Sequence, residues 1–324
     1  MGWKVIKNNL LWCPNCTYAC IFWGTGVEFK KYRIKIATPN KDGVWGLKYM
    51  CEFCIKHGEG KKWYLNVKNY SQELVNDVNR RAYVKDFFHG VDRGYKKYFN
   101  LIKRLPLKMP LIGSSLKAIL KRRFINQHWG QVVPIEDVEK ILSITNSIVR
   151  IPCVCRKVTT GKEIRTCFMV TLKPEFIELV DQSFFGGPDV AKFEKIDKTS
   201  ALNFMKEQES NGSLHSIWTF KTPFIGAICN CDDTGCIAMK MYKEVTPIFF
   251  KAEYIAELDK NECNGCNACV KICPFEALEY DAVNNKVIVD FKKCCGCGIC
   301  RSVCKNDAIS LRQRLSMAEA AHLW

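Results

Sequence analysis

Two stretches decide how this chain is read: Cys263-Asn-Gly-Cys266-Asn-Ala-Cys269-Val-Lys-Ile-Cys273-Pro274 and Cys294-Cys-Gly-Cys297-Gly-Ile-Cys300-Arg-Ser-Val-Cys304-Lys305. One spacing, Cys-x-x-Cys-x-x-Cys-x-x-x-Cys, is stated twice, 31 residues apart (294 − 263). A [4Fe–4S] cube offers four irons to four thiolates. Three cysteines two residues apart wrap a loop around three of its corners. Gly265, Gly296 and Gly298 let the backbone come close and aim its N–H groups at the sulfides. The fourth cysteine opens a short helix.

On these residues the stretch from 252 to 312 resembles the bacterial two-cluster ferredoxins. The resemblance implies two [4Fe–4S] clusters, one held by Cys263, Cys266, Cys269 and Cys304, the other by Cys294, Cys297, Cys300 and Cys273. It also implies a pseudo-twofold fold, with strands at Lys286–Asp290 and Ala308–Leu311. Two residues depart from the pattern. Lys305 stands where the first half has Pro274, which puts a cation beside the first cluster and should raise its potential. Cys295 fits no ligand spacing and reads as a bystander.

Upstream, residues 134 to 250 read as a mixed α/β domain. Helices are expected after Pro134, at Glu175–Asp181 and at Ala201–Gln208, the last capped by Thr199 or Ser200. Strands are expected at Ser147–Val154, Cys167–Leu172 and Leu214–Phe220. The cysteines fall at strand ends: Cys153 and Cys155, Cys167, then Cys229, Cys231 and Cys236. In a Cys-x-Cys strand both thiols share a face, so two such ends can converge on a metal, a third [4Fe–4S] cluster among the choices; a reversible disulfide is the other option. The blocks Pro152-Cys153-Val-Cys155-Arg156 and Cys229-Asn230-Cys231 resemble a group of anaerobe iron–sulfur proteins in which such blocks precede a dicluster module. Here Asp232, Asp233 and Gly235 interrupt the cysteine run. His215 reads as a core histidine rather than a ligand.

Residues 1 to 70 carry Cys13-Pro-Asn-Cys16, Cys20 and Cys51-Glu-Phe-Cys54. Cys13, Cys16, Cys51 and Cys54 can meet on one ion as a zinc ribbon or hold an iron–sulfur centre; thiolates alone do not choose between them. From Asn8 to Val27 there are 20 residues without charge, but Pro14, Asn15, two glycines and three cysteines break the run, and no transmembrane span is expected. The opening Met1-Gly-Trp-Lys-Val-Ile-Lys7 shows no secretory pattern. A cytoplasmic protein, peripheral to a membrane at most, is therefore expected, with its 20 cysteines kept reduced and available to metal.

The chain of 324 residues is 48% hydrophobic and 25% charged, which excludes whole-chain disorder. Its net charge of +16 is uneven. From Lys251 onward 10 basic residues balance 10 acidic ones, whereas Arg80 to Arg123 holds 13 Lys and Arg against Asp86 and Asp92. In this segment, 71 to 133, Tyr83, Phe87, Val91, Tyr95, Tyr98 and Ile102 form an apolar helical row, Pro106 and Pro110 end the helix, and Ser115 caps another. The interleaved charge is expected to meet an acidic partner or an anionic membrane surface.

The sequence thus predicts a multidomain α+β / α/β chain: a small Cys-rich domain (1–70), a basic helical segment (71–133), a mixed α/β middle domain (134–250) and a dicluster ferredoxin-like domain (251–324). The expected function is single-electron relay to or from a redox partner protein or oxidoreductase subunit. Two alternatives are a reductase with a catalytic cluster in the middle domain and a redox-sensing nucleic-acid binder. The absence of a base-reading motif argues against nucleic acid. No dinucleotide fingerprint or Walker loop points to a nucleotide.

Overall fold

The computed structural model describes residues 4–6, 10–12, 62–104, 110–186 and 193–321. The chain divides into two compact units, Met1–Gly58 and Glu59–Trp324. In the first, β1 (Lys4–Ile6) pairs antiparallel with β2 (Leu10–Trp12). Cys13, Cys16, Cys20, Cys51 and Cys54, and with them the metal site expected in the N-terminal segment, lie outside the described residues.

The second unit begins with two 3-10 turns, Trp63–Leu65 and Val67–Tyr70, then α1 (Gln72–Val75), α2 (Val78–Lys85) and α3 (Phe87–Gly94). Asp77 caps α2, its Oδ1 accepting from the Arg80 N–H at 2.8 Å. The aromatic row does not run on one continuous face. The helix breaks at Asp86, and a π-helical turn at Tyr95–Phe99 inserts an extra residue before α4 (Asn100–Arg104). Of that row Phe87 is buried, and Val84, Phe88 and Phe99, which lie off it, are buried too. Pro110 does not end a helix but begins α5 (Pro110–Gln127), where its missing N–H is no loss. Ser115, expected as a cap, is interior to that helix.

The following segment runs β3 (Gly130–Val132), α6 (Ile135–Ile144), β4 (Ser147–Pro152), α7 (Val154–Thr160), β5 (Arg165–Thr171), α8 (Glu175–Glu178), β6 (Glu194–Lys195), α9 (Lys198–Ser210), β7 (Leu214–Thr219), β8 (Ile225–Cys231), α10 (Ile237–Glu244) and β9 (Phe249–Phe250). The strands form one seven-stranded sheet in the order β6-β4-β5-β8-β7-β3-β9. Every pair is antiparallel except β3 with β9. β5, β7 and β8 are buried nearly end to end because both faces are covered. α9 packs on one face against β4, β7 and β8, with Phe168 meeting Phe204 edge-on. On the other face Trp218 stacks on His128, which in turn meets Phe87 and Phe220. Asp197 rather than Thr199 or Ser200 caps α9; its carboxylate accepts from both the N–H and the hydroxyl of Ser200.

Beyond β9, β10 (Tyr254–Leu258) pairs with β13 (Ile309–Gln313) and β11 (Leu278–Asp281) with β12 (Lys286–Val289). Two short helices, α11 (Ala268–Ile272) and α12 (Ile299–Ser302), pack on each other. The architecture is mixed α/β with this small module at its C-terminal end.

A buried carboxylate joins the parts. Asp137, at the start of α6, accepts from Tyr64 Oη at 2.7 Å, Tyr254 Oη at 3.1 Å, Lys140 Nζ at 3.1 Å and Lys62 Nζ at 3.3 Å. Beside it Glu136 pairs with Arg301 of α12, and Gln131 Nε2 donates to the Lys251 carbonyl at 3.1 Å. Burial pushes the Asp137 carboxyl up, but the donors outweigh it and hold it below its ordinary range. A depressed carboxyl stabilises the fold fully above its ordinary pKa of 3.8, and that contribution is lost as pH falls through the folded value. Asp137→Ala should therefore lower the unfolding free energy by about 3 kcal/mol near neutral pH, read from the urea midpoint. The deficit should shrink when the comparison is repeated below pH 3.8.

Candidate metal centres

In the C-terminal module both cysteine loops turn through left-handed residues: Gly265 and Asn267 in the first, Gly296 and Gly298 in the second. A Cβ on Gly296 would lie 2.1 Å from the Tyr254 carbonyl oxygen, so β10 itself demands glycine there. Asn264 Oδ1 accepts from the Cys266 N–H at 3.1 Å and tightens the first loop. Cys269 then lies within α11 and Cys273 just past it; Cys300 lies within α12 and Cys304 just past it, so the fourth cysteine follows the short helix and does not open it as expected.

These loops enclose two cavities. One is walled by Cys263, Cys266, Cys269 and Cys304. The other is walled by Cys294, Cys297, Cys300 and Cys273, with Cys295 also on its lining. Of the cysteines in the repeated spacing, each thus takes three from one loop and the fourth from beyond the other half's helix. Backbone N–H groups already reach the sulfurs: Gly296 N–H donates to Cys294 Sγ and Ala277 N–H to Cys273 Sγ, both at 3.4 Å. The donor set is thiols with apolar walls, as a multi-iron sulfide body requires. Burial pushes the Cys269 thiol up to about 11 and holds Cys297 and Cys300 higher still; cationic iron would supply the charge that turns such thiols into thiolates.

The two cavities differ in exposure. Cys294, Cys297 and Cys300 are buried, whereas Cys266 is exposed and Lys305 borders its cavity. Cys295 is buried, with its Sγ 4.0 Å from Tyr242 Oη and its carbonyl accepting from the Ala252 N–H at 2.9 Å.

The middle cysteines are also brought together, though not as two strand ends. Cys153, still extended, holds the N-cap position of α7 and Cys155 lies in its first turn, so the pair straddles a helix start: the chain leaves β4 at Pro152. Only Cys229 and Cys231 form a true Cys-x-Cys strand, on β8. Cys167 is the cross-strand partner of Cys229, and Cys236 caps α10. The thiols interact in sequence. Cys153 meets Cys155 and Cys167, Cys167 meets Cys229, Cys155 meets Cys236, and Cys236 meets Cys231. Cys231 and Cys229, two apart on one face of β8, close the row into a ring. Hydrogen bonds from their neighbours hold Cys153 and Cys236 below the ordinary thiol range, and the donors Cys155, Cys167 and Cys231 above it. The thiols meet pairwise rather than at a point: among the described residues no three His, Cys, Asp or Glu are grouped to hold a single metal ion.

Sequence reasoning missed the role of Arg156 and of the residues that interrupt the cysteine run. Arg156 is buried beside this ring. Its Nη2 donates to Asp232 at 2.6 Å, and its Nη1 to Thr166 Oγ1 and the Asn230 carbonyl. Burial disfavours its charge, but Cys153 and Asp232 more than restore it. A Cβ on Gly235 would lie 2.8 Å from Arg156 Cγ. Asp232 also accepts from the N–H groups of Thr234 and Gly235, an Asx turn legible in Asp-x-Thr-Gly. His215 pairs with Asn230 across the strands, Nδ1 to Oδ1 2.7 Å, on the face opposite the thiols.

Residues 262–309 match the 4Fe-4S dicluster domain family. Over 57 residues the chain is 37% identical to a subunit of the ion-translocating oxidoreductase complex of Methanosarcina acetivorans, covering 17% of this chain and 20% of that protein. The chain thus spans about a fifth of the length of this curated relative. No solved structure matches the chain. The C-terminal end is therefore a ferredoxin-type iron–sulfur module of the kind that serves electron transfer. Among the described residues no helix is long and apolar enough to cross a membrane.

Gly296→Ala should separate the two cavities in an experiment. The added methyl must displace β10, so sulfide-bound iron should fall by about four per chain, while Cys295→Ala should leave it unchanged. Anaerobic iron and sulfide determination on both variants reads the difference.

Proposed function

We propose that this protein is an iron–sulfur electron-transfer protein, its C-terminal module carrying two [4Fe–4S] clusters and relaying single electrons to or from a partner oxidoreductase. The observation that carries the reading is the pair of cavities, each walled by the four cysteines of one ligand set, with Cys295 as a fifth beside the second, and each completed by a cysteine from the other half. A bound cube supplies one-electron chemistry at a potential set by its surroundings. The protein's part is to hold and tune it. Cys263, Cys266, Cys269 and Cys304 would bind one cube and Cys294, Cys297, Cys300 and Cys273 the other, in the pseudo-twofold manner of two-cluster ferredoxins. Cys266 is exposed, so the first cavity faces exchange with a partner; Lys305 beside it favours the reduced, more negative state.

The partner reading draws on the matched relative being part of a complex and on the basic helices. Arg81, Lys85, Arg93, Lys96, Lys97, Arg104, Lys121, Arg122 and Arg123 are exposed. Leu101 and Ile119 are exposed among them. Arg80 belongs to the fold instead: its guanidinium donates to the Phe220, Lys221 and Leu74 carbonyls. We assign this surface to an acidic partner protein. The Cys13/Cys16 and Cys51/Cys54 pairs remain candidates for a separate zinc or iron–sulfur site.

Cys273→Ala and Cys304→Ala test the crossed ligand sets. Each should remove about four irons, and the surviving reduced-cluster EPR signal should differ between the two. If Cys273→Ala instead spares the signal lost in the Cys297→Ala variant, the assignment is wrong. Replacing Lys96, Lys97, Lys103 and Arg104 together by Gln should abolish salt-sensitive retention of the protein on an acidic matrix, since exposed charges are screened within about 8 Å at physiological salt. Iron content should not change.

A further inference from the structure

We infer that the six-thiol ring of the sheet domain, Cys153, Cys155, Cys167, Cys229, Cys231 and Cys236, is a third iron–sulfur site, independent of the two cavities of the C-terminal module. The sheet fixes half of it: Cys167 and Cys229 are cross-strand partners on β5 and β8, and Cys231 follows on the same face. Two helix starts deliver the rest, Cys153 and Cys155 from α7 and Cys236 from α10. Six thiols concentrated on one face of a sheet exceed what packing needs, since a buried cysteine serves a core as any small apolar residue does.

The ring also carries its own counter-charge. Arg156 is buried against it, and a buried guanidinium is costly unless anions face it. Asp232 is one such anion, 2.6 Å away; the thiolates are the other. Metal binding to thiols releases their protons and leaves anionic sulfur, so a buried cation beside the ring suits the loaded state. The pairwise, ring-like arrangement separates a cluster from zinc. One tetrahedral ion draws four sulfurs to about 2.3 Å of a point, whereas a cube meets its thiolates at separate corners. Cys155 and Cys229 are half-exposed and the other four buried, so the ring opens to one side. Cys167 and Cys229, held by the sheet, are the two ligands assigned; the remaining two come from the other four thiols.

Anaerobically prepared full-length protein tests this with Cys167→Ser and Cys229→Ser. Each should lower sulfide-bound iron by about four per chain and keep both reduced-cluster EPR signals of the C-terminal module, which also certify folding. Equal iron in variants and parent would overturn the inference, as would loss of zinc in place of iron. Should a variant not fold, the unmutated protein answers. Half-exposed Cys229 should resist alkylation by iodoacetamide until an iron chelator is added under anaerobic conditions. If it is alkylated while the iron content stays constant, the ring is a set of free thiols. Failure of the electron-relay reading shows elsewhere, in the Cys273 and Cys304 variants.

Discussion

The molecule is organised around a charge that has been taken out of water. Asp137 has no exposed side-chain surface, yet it is ionised because four donors converge on it. They come from the turns ahead of the sheet, from α6 itself and from the first strand of the C-terminal module. A carboxylate so buried cannot lose a partner cheaply, so each of the three segments is held relative to the other two. Around it the same join is repeated in weaker forms. Arg301 reaches Glu136, and Gln131 reaches the Lys251 carbonyl. Arg314, fully buried, pairs with Glu253. The module is thus an extension of the sheet domain, not a bead on a linker.

That rigid join gives α10 its importance. The helix starts at Cys236 in the thiol ring and carries Tyr242 six residues later, a rise of about 9 Å. The Tyr242 ring stacks on Phe249 of β9 and meets Phe275 edge-on at 5.2 Å. Phe275 and Cys295, its other neighbour, both border the second cavity of the module. The second cavity is therefore linked through one helix to the sheet's thiols, while the first has Cys266 exposed at its rim.

What could be read from the residues follows the range of the forces involved. The doubled cysteine spacing is a local code, and α6, β4, β5, α8, α9 and β7 announced themselves through periodicity, with ends misplaced by a few residues, whereas α7, α10 and the short strands β3, β6 and β9 did not. Capping was misread where two acceptors competed: Asp197 took the cap of α9 because a carboxylate accepts more strongly than the Ser200 hydroxyl, which became a donor to it. The basic helices misled because a π-turn is invisible to a fixed three-and-four spacing. Pro110 was ambiguous in principle, since proline both stops one helix and begins the next. At the middle site the cysteines were legible but their supports were not. Cys153 and Cys155 looked like a strand because the chain enters them from β4. Arg156 and the Asp232–Gly235 turn act only once β5, β8 and α7 meet, a contact between distant parts of the sequence that no local pattern encodes.

The exchange of Cys273 and Cys304 between the halves of the module also sets a temporal order. Neither cavity is closed by the loop that contributes most of its wall: the first waits for Cys304, in the second repeat, and the second needs Cys300 of that same repeat. On the ribosome the first loop therefore emerges with three thiols and an unfinished wall, and both walls reach completion almost together once the second repeat has emerged. A product stalled between the two repeats has no finished pocket in this module. The arrangement thus makes completion of the first pocket depend on synthesis of the second repeat.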